Sequence, residues 1–249
     1  MPVTCAIRLP IMPMSANVHN KAIEQQLRQQ CSLLAFAEPR PGDIWFANNH
    51  LERQPWQALL TRLNARAEKL SSAYLSVNSF LQLSWQPLYL SVACVEGLHC
   101  VPQLGVMQQQ LHASGSIYGL SAVTYQYVDK CIDKQILRQQ CHTQLLTLSQ
   151  GWQQHIARYA GLSPGLAQRL LSDTLTSALL HAGGYGNEAH LHQAHQGWQQ
   201  LFYPRFRQTI HYSQGQYHSS RMTCCLHYQL KAQETCQNCP IKCKAQQSA

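Results

Sequence analysis

Residues 71–98 read SSAYLSVNSFLQLSWQPLYLSVACVEGL, and how this stretch is placed decides the fold. No charged residue lies between Lys69 and Glu96, so the stretch has the outline of a membrane span. Its middle does not. Asn78, Gln82, Ser84, Gln86 and Pro87 fall there, and polar groups and a broken backbone are costly in hydrocarbon. The reading is therefore two buried helical segments, hinged near Pro87, at the centre of a water-surrounded core. A helix that is apolar or small-polar all round needs neighbours on every side, so the flanking sequence should supply more helices.

It does. Residues 16–34 carry Val18, Ile23, Leu27, Leu33 and Leu34 at helical spacing among Gln and Arg. Residues 38–42, EPRPG, form a loop. Pro55 suits the start of a helix reaching about Lys69, with Trp56, Leu59, Leu60 and Leu63 on one face. Residues 99–128 change character. SGSIYGL gives turn chemistry and VTYQYV (123–128) is β-branched and aromatic, which predicts a small antiparallel sheet. Helical spacing returns over 129–160, and Ser163-Pro164 opens a further Leu-rich helix. Gly183-Gly-Tyr-Gly186 ends it. It lacks the strand-before, helix-after setting of a nucleotide-binding loop. A last helix spans 188–202, Pro204 ends it, and 205–220 read as a polar, basic connector rich in His and Tyr. The fold class is thus α+β and predominantly helical: a helical domain with a small antiparallel sheet and a short C-terminal segment.

The chain has 249 residues, enough for one large domain or a domain with a small appendage. Hydrophobic residues make up 45% and charged ones only 12%. The net charge, 19 − 11 = +8, favours an anionic partner or ligand. With no run of five basic residues and no aromatic RNA-binding signature, nucleic acid is not expected. Eleven cysteines is an odd number. Cys5, Cys31, Cys94, Cys100, Cys131 and Cys141 are scattered, mostly where a thiol packs as a small hydrophobe. The first twenty residues lack the basic and apolar regions of a signal peptide. Reduced thiols in a cytoplasmic setting are therefore expected rather than disulfides.

The chemistry gathers at the C-terminal end. There, R-x-x-C-C-L-x-Y from Arg221 to Tyr228 precedes C-x-x-C-P, with Cys236, Cys239 and Pro240. Two close cysteine pairs joined by a polar ten-residue loop can fold back to one point, as a tetrahedral metal or an iron–sulfur cluster requires. The Cys224-Cys225 doublet is unusual. In an extended strand the two would face opposite ways, so both ligate only if the backbone turns there. Zinc ribbons use Cys-x-x-Cys on both sides, and the doublet counts against zinc. Pro240 makes a rigid exit from the second turn.

Residues 221–240 resemble the signature of FhuF-type ferric-siderophore reductases; elsewhere the likeness is weak, with Trp85-Gln-Pro-Leu88 only loosely similar to a central Trp-containing stretch of that family. The resemblance implies that Cys224, Cys225, Cys236 and Cys239 hold a [2Fe–2S] cluster. It also implies a siderophore-binding helical domain over 1–215 and a cluster-binding segment over 216–249. Cys243 departs from the four-ligand pattern and is read as a spare thiol. Arg205, Arg207, His211, His218, Arg221 and His227 crowd the approach, and they suit either a solvated basic face or a rim for an anionic ligand or acidic donor. The implied function is one-electron reduction of siderophore-bound Fe(III), in the cytoplasm or at the inner face of the membrane with peripheral contact. With no nicotinamide or flavin fingerprint, electrons should come from an acidic donor such as a ferredoxin or a ferredoxin/NAD(P)H reductase system. The alternatives are an electron carrier or redox sensor without a substrate, and a zinc-stabilised binding module.

Two other groupings have plainer readings. His181, His190, His192 and His195 lack a His-Glu-x-x-His motif and read as surface groups. Asp129 and Asp133, each followed by Lys, read as a solvated helix face.

Overall fold

The computed structural model describes residues 16–47, 53–66, 70–202, 210–213, 216–230 and 239–240. In chain order they form α1 (Ala16–Gln30), β1 (Ile44–Ala47), α2 (Arg53–Asn64), α3 (Ser72–Val92) and a π-helical turn (Ala93–Leu98). There follow β2 (Cys100–Pro102), β3 (Gln108–Leu111), β4 (Ile117–Ser121), β5 (Tyr125–Tyr127) and α4 (Lys134–Ala160). The chain continues with α5 (Pro164–Ala182), α6 (Glu188–Phe202), β6 (Ile210–Ser213) and β7 (Gln216–Ser219). A 3-10 turn, His227–Gln229, comes last. The fold is predominantly helical with small antiparallel sheets, as the sequence pattern implies. Among the described residues no helix is long and apolar enough to cross a membrane.

The centre of the molecule is α3. It packs against α5, α4 and α2, and 15 of its 21 residues are buried. Serines let the neighbours come close, and several turn their hydroxyls back onto the helix: Ser76 donates to Ala73 and Ser91 to Pro87. Pro87 does not hinge this helix, contrary to the sequence expectation. A proline lacks the N–H that would bond the carbonyl four residues back, here that of Leu83. Gln109, fully buried on β3, supplies the missing donor: its Nε2 lies 3.0 Å from the Leu83 oxygen. The helix continues unbroken through the proline, and the change of helix type comes later, at the π-helical turn. His99 closes that turn in the left-handed region (φ 54°), with its N–H bonded to the Cys94 oxygen.

The π-helical turn carries a buried carboxylate. Glu96 accepts from Arg138 Nε (2.9 Å) and Nη2 (3.1 Å) and from the Trp198 indole (2.8 Å), so α4 and α6 are pinned to the end of α3. Gln30, at the end of α1, donates to the carbonyls of Ala93 (3.2 Å) and Ala182 (2.6 Å), the latter at the C-terminal end of α5. Gly97 lies beneath it, and a Cβ there would displace the Gln30 amide from these bonds.

One helix cap follows the sequence and one corrects it. Ser163 accepts from the Leu166 N–H with Pro164 in the first turn, and Asp133 accepts from the Gln135 N–H. Asp133 is therefore a cap, and Asp129 lies before the helix bonding the Cys131 N–H; the two do not share a helix face as expected. The antiparallel sheet expected over 99–128 is two small ones. One is ordered β1-β3-β4, and the other pairs β2 with β5. The stretch 205–220 is more than a connector: β6 and β7 pair as a hairpin, with His211 opposite His218 and Tyr212 opposite Tyr217. Residues 203–209 lie outside the described residues.

Candidate iron–sulfur site

Residues 219–230 run across α3 and α5, and each turn of the segment is tied down. Asp173, in the interior of α5 and only 4% exposed, is the first anchor. Its Oδ1 accepts from the Met222 N–H (2.8 Å), and its Oδ2 accepts from the Thr223 N–H (2.9 Å) and from the Thr223 hydroxyl. Arg221 Nε sits 4.0 Å from Oδ2. Burial pushes the Asp173 carboxyl above its ordinary value, and the Thr223, Met222 and Arg221 interactions oppose that rise without cancelling it. Asn78 on α3 is the second anchor: its Nδ2 donates to the Cys225 oxygen (3.1 Å) and to Tyr74 one turn back. The third is at the N-terminus of α3, where Ser71 donates to Gln229 Oε1 (2.7 Å) while capping the Tyr74 N–H.

Between these anchors the backbone makes the turn that the cysteine doublet demands. Leu226 lies in the left-handed region (φ 59°), rare for a branched residue. This folds its N–H back toward Cys224 Sγ, 3.4 Å away. Such an N–H stabilises a thiolate and tunes a bound metal. Cys225 and Cys239 are buried and Cys224 half-buried. Burial raises the Cys224 thiol. The Leu226 N–H opposes that rise, and the thiols of Cys239 and Cys225 alongside add to it. Thiols that hold one another protonated when crowded are the arrangement a metal discharges, because ligation expels the protons.

The donors are soft thiols, the ligand type that iron–sulfur clusters take. Among the described residues no three His, Cys, Asp or Glu side chains close on one metal-sized point. Cys224 and Cys239 nevertheless adjoin, with Cys225 beside them. A [2Fe–2S] centre takes soft sulfur ligands in two pairs, one per iron. Cys236, the fourth expected ligand, and Cys243, the expected spare, lie outside the described residues.

A cavity of about 480 Å³ opens against Cys225. Arg221 and His227 line it, with Ser219, Asp173 and Ser177 from the strand and helix beside them, and Gln82, Trp85 and Tyr89 of α3 as its far wall. Of the residues expected at the rim, Arg221 and His227 therefore face this space. His218 stands on β7 opposite His211 and does not line it, and Arg205 and Arg207 lie outside the described residues. The histidines of α6 do not form a site. His192 pairs with Glu188 at 3.3 Å, and His195, expected at the surface, is buried. Asp173, Asn78 and Ser71 are functional supports that the sequence reading missed. A lone carboxylate in the Leu-rich α5 was the available signal for the first.

A thiol-bearing turn tied to the helical core, with Arg221 and His227 in the cleft beside it, has the makings of an iron–sulfur redox site. Residues 221–240 match the family model of the FhuF 2Fe-2S C-terminal domain. The chain thus ends in a segment of the FhuF type, and the match supports a [2Fe–2S] cluster as its cofactor. No curated protein and no solved structure matches the chain.

Proposed function

We propose that the chain is a ferric-siderophore reductase, with Cys224, Cys225, Cys236 and Cys239 as cluster ligands and the cavity beside Cys225 as the substrate site. The observation that carries this reading is the position of the cavity. Cys225, an expected cluster residue, is itself one of the residues that line it. When bound, a [2Fe–2S] centre supplies electrons one at a time, and a partner protein must replenish them.

The chain's own residues do the rest. Arg221 is held only loosely by Asp173, at 4.0 Å, so its terminal N–H groups are available to the oxygens of a chelate. His227 stands on the same side, and Asn78 and Asp173 keep the turn that carries both at a fixed distance from the cavity wall. Siderophore Fe(III) is a hard cation gripped by anionic oxygens. One added electron lowers its charge, weakens the chelate and lets Fe(II) leave. The net charge of +8 suits docking of an acidic donor such as a ferredoxin, in the cytoplasm or against the inner membrane face.

An anaerobic titration tests this. Pre-reduced protein is mixed with iron-loaded siderophores while a ferrous-specific dye reports released Fe(II). Saturation with chelate concentration is expected. Reduction that stays linear in concentration for every acceptor would instead make the protein an electron carrier. Purified protein containing zinc but neither iron nor sulfide would make it a zinc module.

A further inference from the structure

The cavity at Cys225 does not end at α3. A second cavity, about 520 Å³, lies on the other side of Gln82 and Trp85, and both residues line both spaces. Three rings run along this join. Tyr89 meets Trp85 edge-on at 5.7 Å between centroids. Trp85 lies parallel to Tyr118, with 10° between planes and 6.1 Å between centroids. Tyr118 is 40% exposed, so the outer end of the strip is open to solvent.

The strip is held rigid. The Trp85 indole donates to the Ile117 oxygen at 3.1 Å, and Gln82 Oε1 accepts from the Ile117 N–H at 2.8 Å. One residue of β4 thus fixes both side chains. With its oxygen engaged, Gln82 has its Nε2 left as the donor for a ligand. The outer cavity has no Lys, Arg, Asp or Glu in its lining, and its mouth is polar through His112, Ser114 and Ser116.

We infer that this strip is a binding subsite for the organic arm of the ferric chelate. The substrate class is then a chelate with an extended, uncharged, amide-bearing arm. The rings take the arm's methylene faces and the Gln82 amide takes its carbonyl. The inference rests on the reductase reading, because the metal-bearing end of the same ligand occupies the cavity at Cys225.

The test separates the two. Two Ga(III) chelates are prepared from hexadentate ligands with identical donor groups, one macrocyclic with no free arm and one ring-opened with an N-acetylated alkyl-amide arm. Ga(III) matches the charge of Fe(III) and is not reduced, so calorimetry reads binding alone. The armed chelate binds the wild-type protein about tenfold more tightly, which corresponds to about 1.4 kcal/mol. In Tyr118→Ala, a surface change on β4, and in Trp85→Ala that ratio falls toward one, while Trp85→Phe retains part of it. If both chelates bind but the ratio is unchanged in Tyr118→Ala and Trp85→Ala, the arm subsite is overturned and the reductase reading stands. If neither chelate binds the wild-type protein, and the iron forms are not reduced with saturation, the reductase reading itself has failed.

Discussion

Replacing Asp173 with alanine tests whether the cluster turn is positioned from the helical core. The carboxylate receives two backbone N–H groups and one hydroxyl from residues 222–223. Truncation leaves those two N–H groups facing a cavity among buried neighbours, at about 1–3 kcal/mol each. Part of that loss is returned. Burial already holds the carboxyl above its ordinary value, so removing the charge also removes a desolvation cost. The net destabilisation should be about 2–3 kcal/mol, larger than a surface change gives. Asp173→Asn is no remedy, because its Nδ2 would oppose the donors of Thr223 wherever its oxygen serves Met222. The second consequence is local. Thr223 precedes Cys224, so a loosened 222–223 turn should release iron and sulfide faster on gel filtration while the helical circular dichroism stays intact below the melting transition. Urea unfolding followed by tryptophan fluorescence, with iron and sulfide assays, reads both effects. An Asp173→Ala protein within about 0.5 kcal/mol of wild type and with full cluster content would refute the anchoring argument.

Cys225→Ser and Cys239→Ser should each abolish the visible absorption and the iron content, whereas Cys243→Ser should keep both; bleaching by Cys243→Ser would show that the ligand set is misassigned. Glu96→Ala strands the Arg138 guanidinium in the core and should cost about 3–5 kcal/mol, seen as a large fall in urea midpoint, without altering the cluster spectrum of the protein that remains folded. Stability should also fall with acid. Burial, aided by His192, lowers the His195 pKa from 6.5 to about 4, and burial lowers His142 and His155 as well. The unfolded chain therefore takes up protons near pH 6.5 that the folded one refuses until about pH 4, so stability is lost across that window as pH falls. His195 alone accounts for about 2 kcal/mol between about pH 7 and about pH 5. His195→Leu, which also removes a buried ring nitrogen with no partner, should flatten the profile by that amount in denaturant melts at the two pH values; an unchanged slope would mean that His195 protonates freely in the fold.

What the sequence disclosed was local. Ser163-Pro164 announces a helix start because the cap and its N–H are three residues apart. The C-C and C-x-x-C pairs are legible because ligation constrains neighbours along the chain. What it hid depends on distant partners. Pro87 looks like a hinge until Gln109, 22 residues on, replaces its missing hydrogen bond. Asp173 looks like a stray charge until Met222 and Thr223 come to it from 49 and 50 residues away. The β6–β7 hairpin was hidden for another reason. Its strands are mostly polar, with Ile210 in the core, Tyr217 packed against it and Tyr212 exposed, so the hydrophobic period that identifies a strand is faint.

The polar residues of α3 connect these observations. Asn78, Gln82, Trp85 and Tyr89 are spaced i, i+4, i+7 and i+11, which sets them on one stripe of the helix. Asn78 holds the Cys225 carbonyl, Gln82 and Trp85 are fixed by Ile117, and Tyr89 shares a 2.8 Å hydrogen bond with Ser177 of α5. Most buried polar groups have a partner that offsets their loss of water. On this stripe the partners are the cluster turn, the sheet and the neighbouring helix, so the same side chains that make the stretch unfit for lipid also build the wall of the cavity. An apolar replacement of the same shape at Asn78, such as leucine, would suit the core by hydropathy and still remove the hydrogen bond to the Cys225 carbonyl. For that reason the helix cannot be made more hydrophobic along this stripe without losing the grip on the residues at which the chemistry is proposed to occur.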